Sequence, residues 1–406
     1  MANTLNLGNG NWATKDDSLL AYNSENGNFK PLAFNFTRAS SATVVNKDGL
    51  IETVGSGEPR IDFSNDAKGA LLLEPSKTNS FKQSNQFDTT WQISSGDVSV
   101  TPNQIGVGGS TNAWKLTEGS YSGEHFIRQT PNIGGVVSVS VYAKAGTNDF
   151  LYIRGVNGGA NKRTWFNLSN GIVGTSQGIS AEMISMGNGW YRCVMVLDHQ
   201  TAFEYYIATS KADGVSSYQG DNGFIYIQFS QLEQGSYATS YIPTQGSAVT
   251  RVGESTINNL SNQVSLTEGV FYIDVTNLGR LQNANILTQN STVNSVYGYI
   301  QTNNRIVFGL FANSVSIPIT SSLEYTIGTR TKIAFHYKSG NSKLYVNGFL
   351  AGNSTDTFTI GSGFADAIRL IDNSSAYFAF PEKSTVKEFK IYNTALTDAE
   401  LIALTK

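Results

Sequence analysis

The amino-acid sequence predicts an all-β protein: two antiparallel β-sandwich domains that follow an extended amino-terminal arm with short strands. Three observations point there. Forty glycines, 19 tyrosines and 22 phenylalanines stand in a 406-residue chain that is only 15% charged, the usage of twisted strands and tight turns rather than of helices. Apolar and polar residues alternate at period 2 in several stretches, the spacing that sets one face of a strand against a core. Gly and Asn punctuate those stretches at hairpin spacing. A chain of this length exceeds one ordinary hydrophobic core, so its strands are divided among domains.

Residues 1 to about 33 mix Asn, Gly and Asp with isolated apolar anchors, Leu5, Leu7, Trp12, Leu19, Leu20 and Tyr22, in no steady period. That predicts an arm laid on a neighbour. Asn46-Lys-Asp-Gly49 then has the residues of a hairpin turn between Ala42-Thr-Val-Val45 and Leu50-Ile-Glu-Thr-Val54. Short strands are expected at Pro59–Phe63 and at Gly69–Pro75, the second stopped by Pro75. Residues 1–80 thus read as an attachment arm and short-strand block.

From Phe81 to Glu233 the alternation is clear. Val137, Val139, Val141 and Ala143 face a core while Ser138, Ser140, Tyr142 and Lys144 face water or a partner, and Ile225, Ile227 and Phe229 repeat the pattern. Asn188-Gly-Trp-Tyr-Arg-Cys-Val-Met-Val-Leu197 opens on a turn and runs on as a strand buried on both faces. Residues 81–250 therefore read as one sandwich. Gly235–Arg251, rich in small polar residues and carrying Pro243, reads as a docked connector pinned by Tyr237, Tyr241 and Ile242. Beyond it, residues 251–406 read as a second sandwich: Gly269–Val275, Arg305–Phe311 and Lys332–Tyr337 are strands, Leu344-Tyr-Val346 meets an Asn347-Gly348 hairpin turn, and Thr397 with Glu400 caps a short terminal helix onto which Leu396 staples Leu401.

Three resemblances attach to these residues. Phe36-Thr-Arg-Ala-Ser-Ser-Ala-Thr43, Asp48–Glu52, Glu58-Pro-Arg-Ile-Asp62 and Leu71-Leu-Leu-Glu-Pro75, with Gly235–Thr244 and Thr250-Arg251 downstream, resemble two sequence blocks of tailed-bacteriophage virion proteins described as head spike, head fibre or tail fibre proteins. The middle sandwich resembles jelly-roll carbohydrate-binding modules in general pattern. Lys343-Leu-Tyr-Val-Asn-Gly348 and the ending from Glu388 to Leu404 resemble the laminin-G-like or concanavalin-A-like jelly roll. The first resemblance implies a virion location, attachment to other virion proteins of capsid or tail through the amino-terminal region, a homo-oligomer of trimeric type and a host cell-surface glycan as ligand.

Composition and motifs narrow the function classes. A formal net charge of −3 leaves no basic field for a phosphate backbone, so nucleic acid is not an expected partner. No apolar run reaches bilayer length and the first ten residues lack the pattern of a secretory signal, so membrane insertion is not expected and synthesis in a host bacterial cytoplasm is. Cys193 stands alone, which removes an intramolecular disulfide and a cysteine metal cluster.

No catalytic residues are assigned. Glu182, Asp198, Glu204, Asp213 and Asp221 are scattered acids, and His125, His199 and His336 lie far apart. His336 falls on the outward phase of its strand. For glycan binding, aromatic rings beside amide and carboxylate groups are the expected chemistry. Trp91, Trp114, Tyr121, Trp165 and Trp190 offer this in the middle domain, and Tyr297 and Tyr299 in the last. The preferred rim site is Tyr377 and Phe378 with Asp372 and Asn373, whose side chains also have the hard oxygens a Ca²⁺ would take; no other cofactor is expected. A virion-borne polysaccharide-degrading enzyme and a free lectin or adhesin are the alternative readings.

Overall fold

The structure, a computed structural model, describes residues 5–15, 18–23, 28–93, 98–157, 160–199, 204–277, 284–289, 291–326, 328–370 and 383–406. It is all-β, with antiparallel sheets throughout the sandwiches and, among the described residues, one short α-helix, Asp398–Thr405. Among the described residues no helix is long and apolar enough to cross a membrane. The chain divides into two compact units, residues 1–47, 53–76 and 252–406 in the first and residues 48–52 and 77–251 in the second.

In the first unit the long sheet runs in the order Ser255–Ile257, Asn28–Thr37, Ser18–Asn23, Leu5–Gly8, Ser384–Tyr392, Glu268–Asn277, Arg330–Lys338, Ser342–Val346, Phe349–Ser354. The arm expected to lie on a neighbour is therefore part of the sheet. Leu5 and Leu7 pair opposite Ile391 and Phe389, and with Leu19 they are buried in the same core as Phe271, Ile273 and Phe335. Their spacing, Leu5-x-Leu7, is a strand pattern too short to register against the polar residues around it. Gly8 ends the strand at φ +93, where a Cβ would stand 2.4 Å from the Lys387 carbonyl oxygen, so only glycine fits. A five-stranded sheet, Val315–Glu324, Arg305–Ala312, Ser295–Ile300, Ala284–Thr288, Arg369–Leu370, faces the long one across that core. A division falls at residues 76/77, close to the one expected at residue 80, and most of the segment before it joins residues 252–406 in one unit.

The outer face of the long sheet is also covered. The terminal helix, capped by Thr397 and Glu400 as the sequence predicts, seats Leu401 on Val270, Tyr272, Ala334, Tyr345 and Tyr392. His336 points outward from its strand but under this cover, and is only 2% exposed rather than at the surface. The Asn347-Gly348 turn, with both φ positive at 49° and 86°, makes the tight hairpin expected of it.

The quoted motif residues meet in one buried cluster. Arg60 Nε and Nη2 donate to the two carboxylate oxygens of Glu254 at 2.6 Å each, and its Nη1 reaches Glu74 at 2.9 Å. Arg38 Nη1 donates to Glu254 at 3.0 Å and to the Glu58 carbonyl at 2.9 Å, while its Nη2 donates to the Gly55 carbonyl. All four ionic side chains are fully buried. Burial by itself would lower the Arg60 pKa, but the Glu254 and Glu74 carboxylates raise it above the ordinary value. The backbone closes the same contact, Glu74 N–H donating to the Glu254 carboxylate and Glu254 N–H to the Glu74 carbonyl. Segments far apart in sequence are thereby joined beside each other.

The second unit is a sandwich of two six-stranded sheets. One runs Gln92–Ile93, Phe126–Gln129, Glu204–Ser210, Phe150–Asn157, Ala160–Asn167, Ile172–Ser176; the other runs Val98–Gln104, Ala113–Glu118, Phe224–Gln234, Gly135–Ala145, Trp190–His199, Ser180–Ser185. Val137, Val139, Val141, Met195, Ile225 and Ile227 build the core between them, and Cys193 packs there as a small hydrophobe whose thiol burial pushes up. Ser138, Ser140 and Tyr142, expected to face water or a partner, are buried. Ser138 donates to the Tyr237 carbonyl of the connector, Arg192 donates to Ser140, and Tyr142 packs with Trp190 and Phe229. Phe229 joins them because its φ of +51° and a register shift opposite Ser140–Tyr142 flip it out of phase with Ile225 and Ile227. The connector docks as expected: Tyr241 stacks on Phe229 at 4.4 Å and meets Ser84 at 2.6 Å, Asn79 donates to the Ile242 carbonyl, and Val249–Arg251 pairs with Lys77–Asn79.

Candidate functional site

The face of the Phe126–Gln129, Glu204–Ser210, Phe150–Asn157, Ala160–Asn167 sheet that points away from its core carries two adjacent rows of side chains. Each strand supplies its share by plain alternation. Ile127, Tyr205, Ile207, Leu151, Ile153 and Phe166 go inward, so their neighbours must go outward. Register then sets Arg128 beside Tyr206, Tyr206 beside Arg154, and Arg154 beside Arg163. The next row is Phe126, Ala208, Tyr152 and Trp165. An aromatic floor therefore lies beside a row of three guanidinium groups.

Contacts fix these groups. The Tyr206 ring lies between two arginines, with Arg154 Cζ 4.6 Å and Arg128 Cζ 5.7 Å from its centroid. Its hydroxyl donates to Glu204 and accepts from Arg128 Nη1 at 3.1 Å, and Arg128 also donates to Glu204 at 2.7 Å and, through Nε, to Gln92 at 2.8 Å. Across the sheet, Arg163 Nη2 donates to Glu124 Oε1 at 2.6 Å and Arg154 Nη1 to Glu124 Oε2, one guanidinium to each oxygen. Phe126 meets the Tyr206 ring edge-on at 4.6 Å, Tyr152 and Trp165 lie 5.5 Å apart, and the Trp165 indole donates to the Val215 carbonyl at 3.0 Å, folding one loop over that end. The Tyr152 hydroxyl and Arg163 Nε, both buried, have no hydrogen-bond partner among the described residues.

A second loop brings Glu124 in. Ser122–Gly123 pairs with Tyr218–Gln219, and this small ribbon is anchored by buried Glu118, which accepts from Asn148, from the Tyr218 hydroxyl and from the Asp221 and Gly223 amides. Gly220 permits the crossing, since a Cβ there would stand 1.9 Å from the Gly119 carbonyl oxygen.

Protonation at this face is set. Burial first and the Glu204 hydrogen bond second raise the Tyr206 pKa, and burial first and the Glu124 charge second raise that of Tyr152, so both phenols stay neutral donors. The Arg128 guanidinium is held above its ordinary value chiefly by its bond to the Tyr206 hydroxyl. Fixed cations and neutral phenols suit recognition of polar or anionic groups better than proton transfer near neutral pH.

Tyr377, Phe378, Asp372 and Asn373 lie outside the described residues. Trp91, Trp114 and Trp190 are core residues, and Tyr121 is exposed on the loop before Glu124. Tyr297 and Tyr299 stack at 6.2 Å on the outer face of the five-stranded sheet, with Phe311 5.3 Å from Tyr297. Trp165 is brought into the charged face, and so is Glu204. His125 is buried against the Tyr218 ring at 4.7 Å. Asp213 accepts from Thr175 and Asp221 pairs with Lys211 at 2.7 Å. Among the described residues no group of three or more His, Cys, Asp or Glu side chains is placed to hold a metal ion. The arginine row was missed because Arg128, Arg154 and Arg163 sit on three separate strands; the signal present was Phe150-x-Tyr152-x-Arg154 alternating with Leu151 and Ile153.

Residues 270–402 match the model of the Concanavalin A-like lectin/glucanases superfamily, so the carboxy-terminal part of the chain carries a concanavalin-A-like jelly roll. Among solved structures the chain is similar to the Ruminococcus gnavus IT-sialidase CBM40, with 18% identity and TM-score 0.31 over 37% of this chain and 93% of that one. It is also similar to the receptor binding domain of botulinum neurotoxin D, with 14% identity and TM-score 0.32 over 37% of this chain and 41% of that one. A third likeness is to the binding domain of Paraclostridial Mosquitocidal Protein 1, with 14% identity and TM-score 0.29 over 37% and 43%. The match thus takes in less than half of either toxin chain. No curated protein matches the sequence.

Proposed function

We propose that this chain is a non-catalytic structural component of a tailed-phage virion, a fibre, spike or decoration subunit, whose β-sandwiches bind a glycan on the host surface. One observation carries the binding reading: the row Arg128, Tyr206, Arg154, Arg163 beside the row Phe126, Ala208, Tyr152, Trp165 on an outward sheet face. Guanidinium groups hydrogen-bond to sugar hydroxyls and carboxylates, and aromatic surface favours the apolar face of a pyranose. The concanavalin-A-like jelly roll is a second sandwich of a type used for sugar binding, and it supports the same reading.

The virion reading draws on the sequence resemblance, and the buried cluster supports it. Arg38, Arg60 and Glu74 come from three segments of the first quoted block and act together to build one body, as residues of a shared structural signature would. Attachment to capsid or tail is then made by the unit that contains the amino-terminal strands, and a homotrimer is the assembly proposed.

The test uses the full chain and the particle it belongs to. Binding to host capsular or lipopolysaccharide fractions that is lost in Arg154→Met with an unchanged melting profile, together with density for a trimer on the particle, is the expected result. Release of reducing ends from the same polysaccharide would replace the binding reading by an enzymatic one, and absence of the chain from particles would remove the virion reading.

A further inference from the structure

We propose that the Arg154–Arg163 pair is a receptor for a sugar carboxylate, and that Glu124 occupies it as an internal stand-in until an acidic saccharide displaces it. This rests on the glycan-binding reading and names the ligand class: a polysaccharide whose rings carry carboxylates.

Five features carry it. Two guanidinium groups from neighbouring strands, in register with each other, converge on the two oxygens of one carboxylate, the arrangement by which arginine recognises a carboxylate group wherever it comes from. That carboxylate is delivered by a loop and not by the sheet itself. Glu124 follows the two-residue ribbon Ser122–Gly123 and the exposed Tyr121, so it can withdraw without breaking a sheet strand. The group is within reach of solvent, with side-chain exposures of 15% for Arg154, 18% for Arg163 and 21% for Glu124. Finally, the same place has donors to spare. The Tyr152 hydroxyl is fully buried and unpartnered beside Arg154 and Arg163, as is Arg163 Nε. Glu124 leaves both unmet; a saccharide, with a hydroxyl next to its carboxylate, has acceptors for them. Three arginines against two glutamates also leave this face with an excess of positive charge, which favours an anionic ligand over a neutral one.

The exchange is a competition, so removing the competitor should tighten binding. The full chain is titrated with polygalacturonate, with its methyl ester, with polysialic acid and with neutral dextran. Polygalacturonate and polysialic acid separate the two common sources of a sugar carboxylate, and the methyl ester keeps the polygalacturonate chain while deleting its charge. The expected result is binding of at least one acid form, at least tenfold weaker binding of polygalacturonate's ester where that acid is the one bound, tightening of about tenfold in Glu124→Gln, and at least tenfold loss in Arg163→Met. Arg163→Lys, which keeps the charge without the planar fork, should be intermediate and guards against a folding defect in the Met variant. Equal binding of the acid and its ester, or weaker binding in Glu124→Gln, overturns the proposal. Binding of neutral dextran alone, lost in Arg154→Met, overturns it while leaving the glycan-binding reading in place. Failure of every saccharide, including host polysaccharide, removes both.

Discussion

Arg60→Met tests the structural role given to the buried cluster. Arg60 is held by Glu254 through two bonds of 2.6 Å and by Glu74 at 2.9 Å, and it also donates to the Thr43 carbonyl at 2.9 Å. Methionine fills much of the volume but takes the guanidinium away from the buried Glu74 and Glu254 carboxylates, and Arg38 still meets Glu254. Removing one partner of a buried ion pair costs about 3–5 kcal/mol, because the desolvated charge left behind finds no water. For a body of roughly two hundred residues, 1 kcal/mol lowers Tm by about 2–4 °C, so a fall of about 6–20 °C is expected. The second variant, Arg60→Met with Glu74→Met, removes one charge of each sign and leaves the Arg38–Glu254 pair at 3.0 Å intact. It should be less destabilised than the sum of the two single variants by about 1–3 kcal/mol. Differential scanning calorimetry of the full chain is the assay, with the two units read as separate transitions and only that of the unit containing residues 252–406 moving. A loss below about 1 kcal/mol in Arg60→Met, additivity in the double variant, or an equal shift of both transitions would refute the reasoning.

Other predictions follow from single residues. Burial and the charges of Lys343 and Lys338 hold the His336 imidazole below its ordinary value; the unfolded chain then binds the proton more readily, so stability falls as pH drops below about 6.5, and His336→Gln should flatten that part of a Tm-against-pH curve. The Asp398 and Glu268 carboxylates are depressed by hydrogen bonds from Lys343 and Lys338, so the stability they supply is present above the ordinary carboxylate range and lost as pH falls below about 4, a loss that Lys343→Met should reduce. Gly220→Ala forces a Cβ to within 1.9 Å of the Gly119 carbonyl oxygen; it should displace the ribbon that carries Glu124, lowering the Tm of the unit that contains residues 77–251 and altering saccharide binding in the same variant. Thr397→Ala removes the hydroxyl that accepts from the Glu400 amide, and should lower stability by about 1 kcal/mol by thermal melting.

Much of this was readable in the sequence where period and environment agreed. Ile333, Phe335 and Tyr337 face the core as their alternation requires, and the Asn347-Gly348 turn and Thr397 capping box form from purely local chemistry. Reading failed where a distant segment supplied the other half of the environment. Leu5 and Leu7 needed Ile391 and Phe389 to become a strand. Ser138 and His336 sit on outward phases but are covered by the connector and by the terminal helix. The charged face is the same kind of case: Arg128, Arg154 and Arg163 gain meaning only through register, which single-strand alternation does not contain.

The pairing of Leu5–Gly8 with Ser384–Tyr392 also sets a timetable for biosynthesis. A ribosome adds about 5–20 residues per second, so roughly 20–80 s separate the making of Leu7 from that of its partner Phe389. Throughout that interval the first strands, with Leu5, Leu7 and Leu19, wait without a core, while residues 77–251 have emerged complete and are free to fold. The nascent chain thus carries a finished sandwich between two unfinished ends, and agents that shield apolar segments during translation should raise the yield of the first unit far more than that of the second.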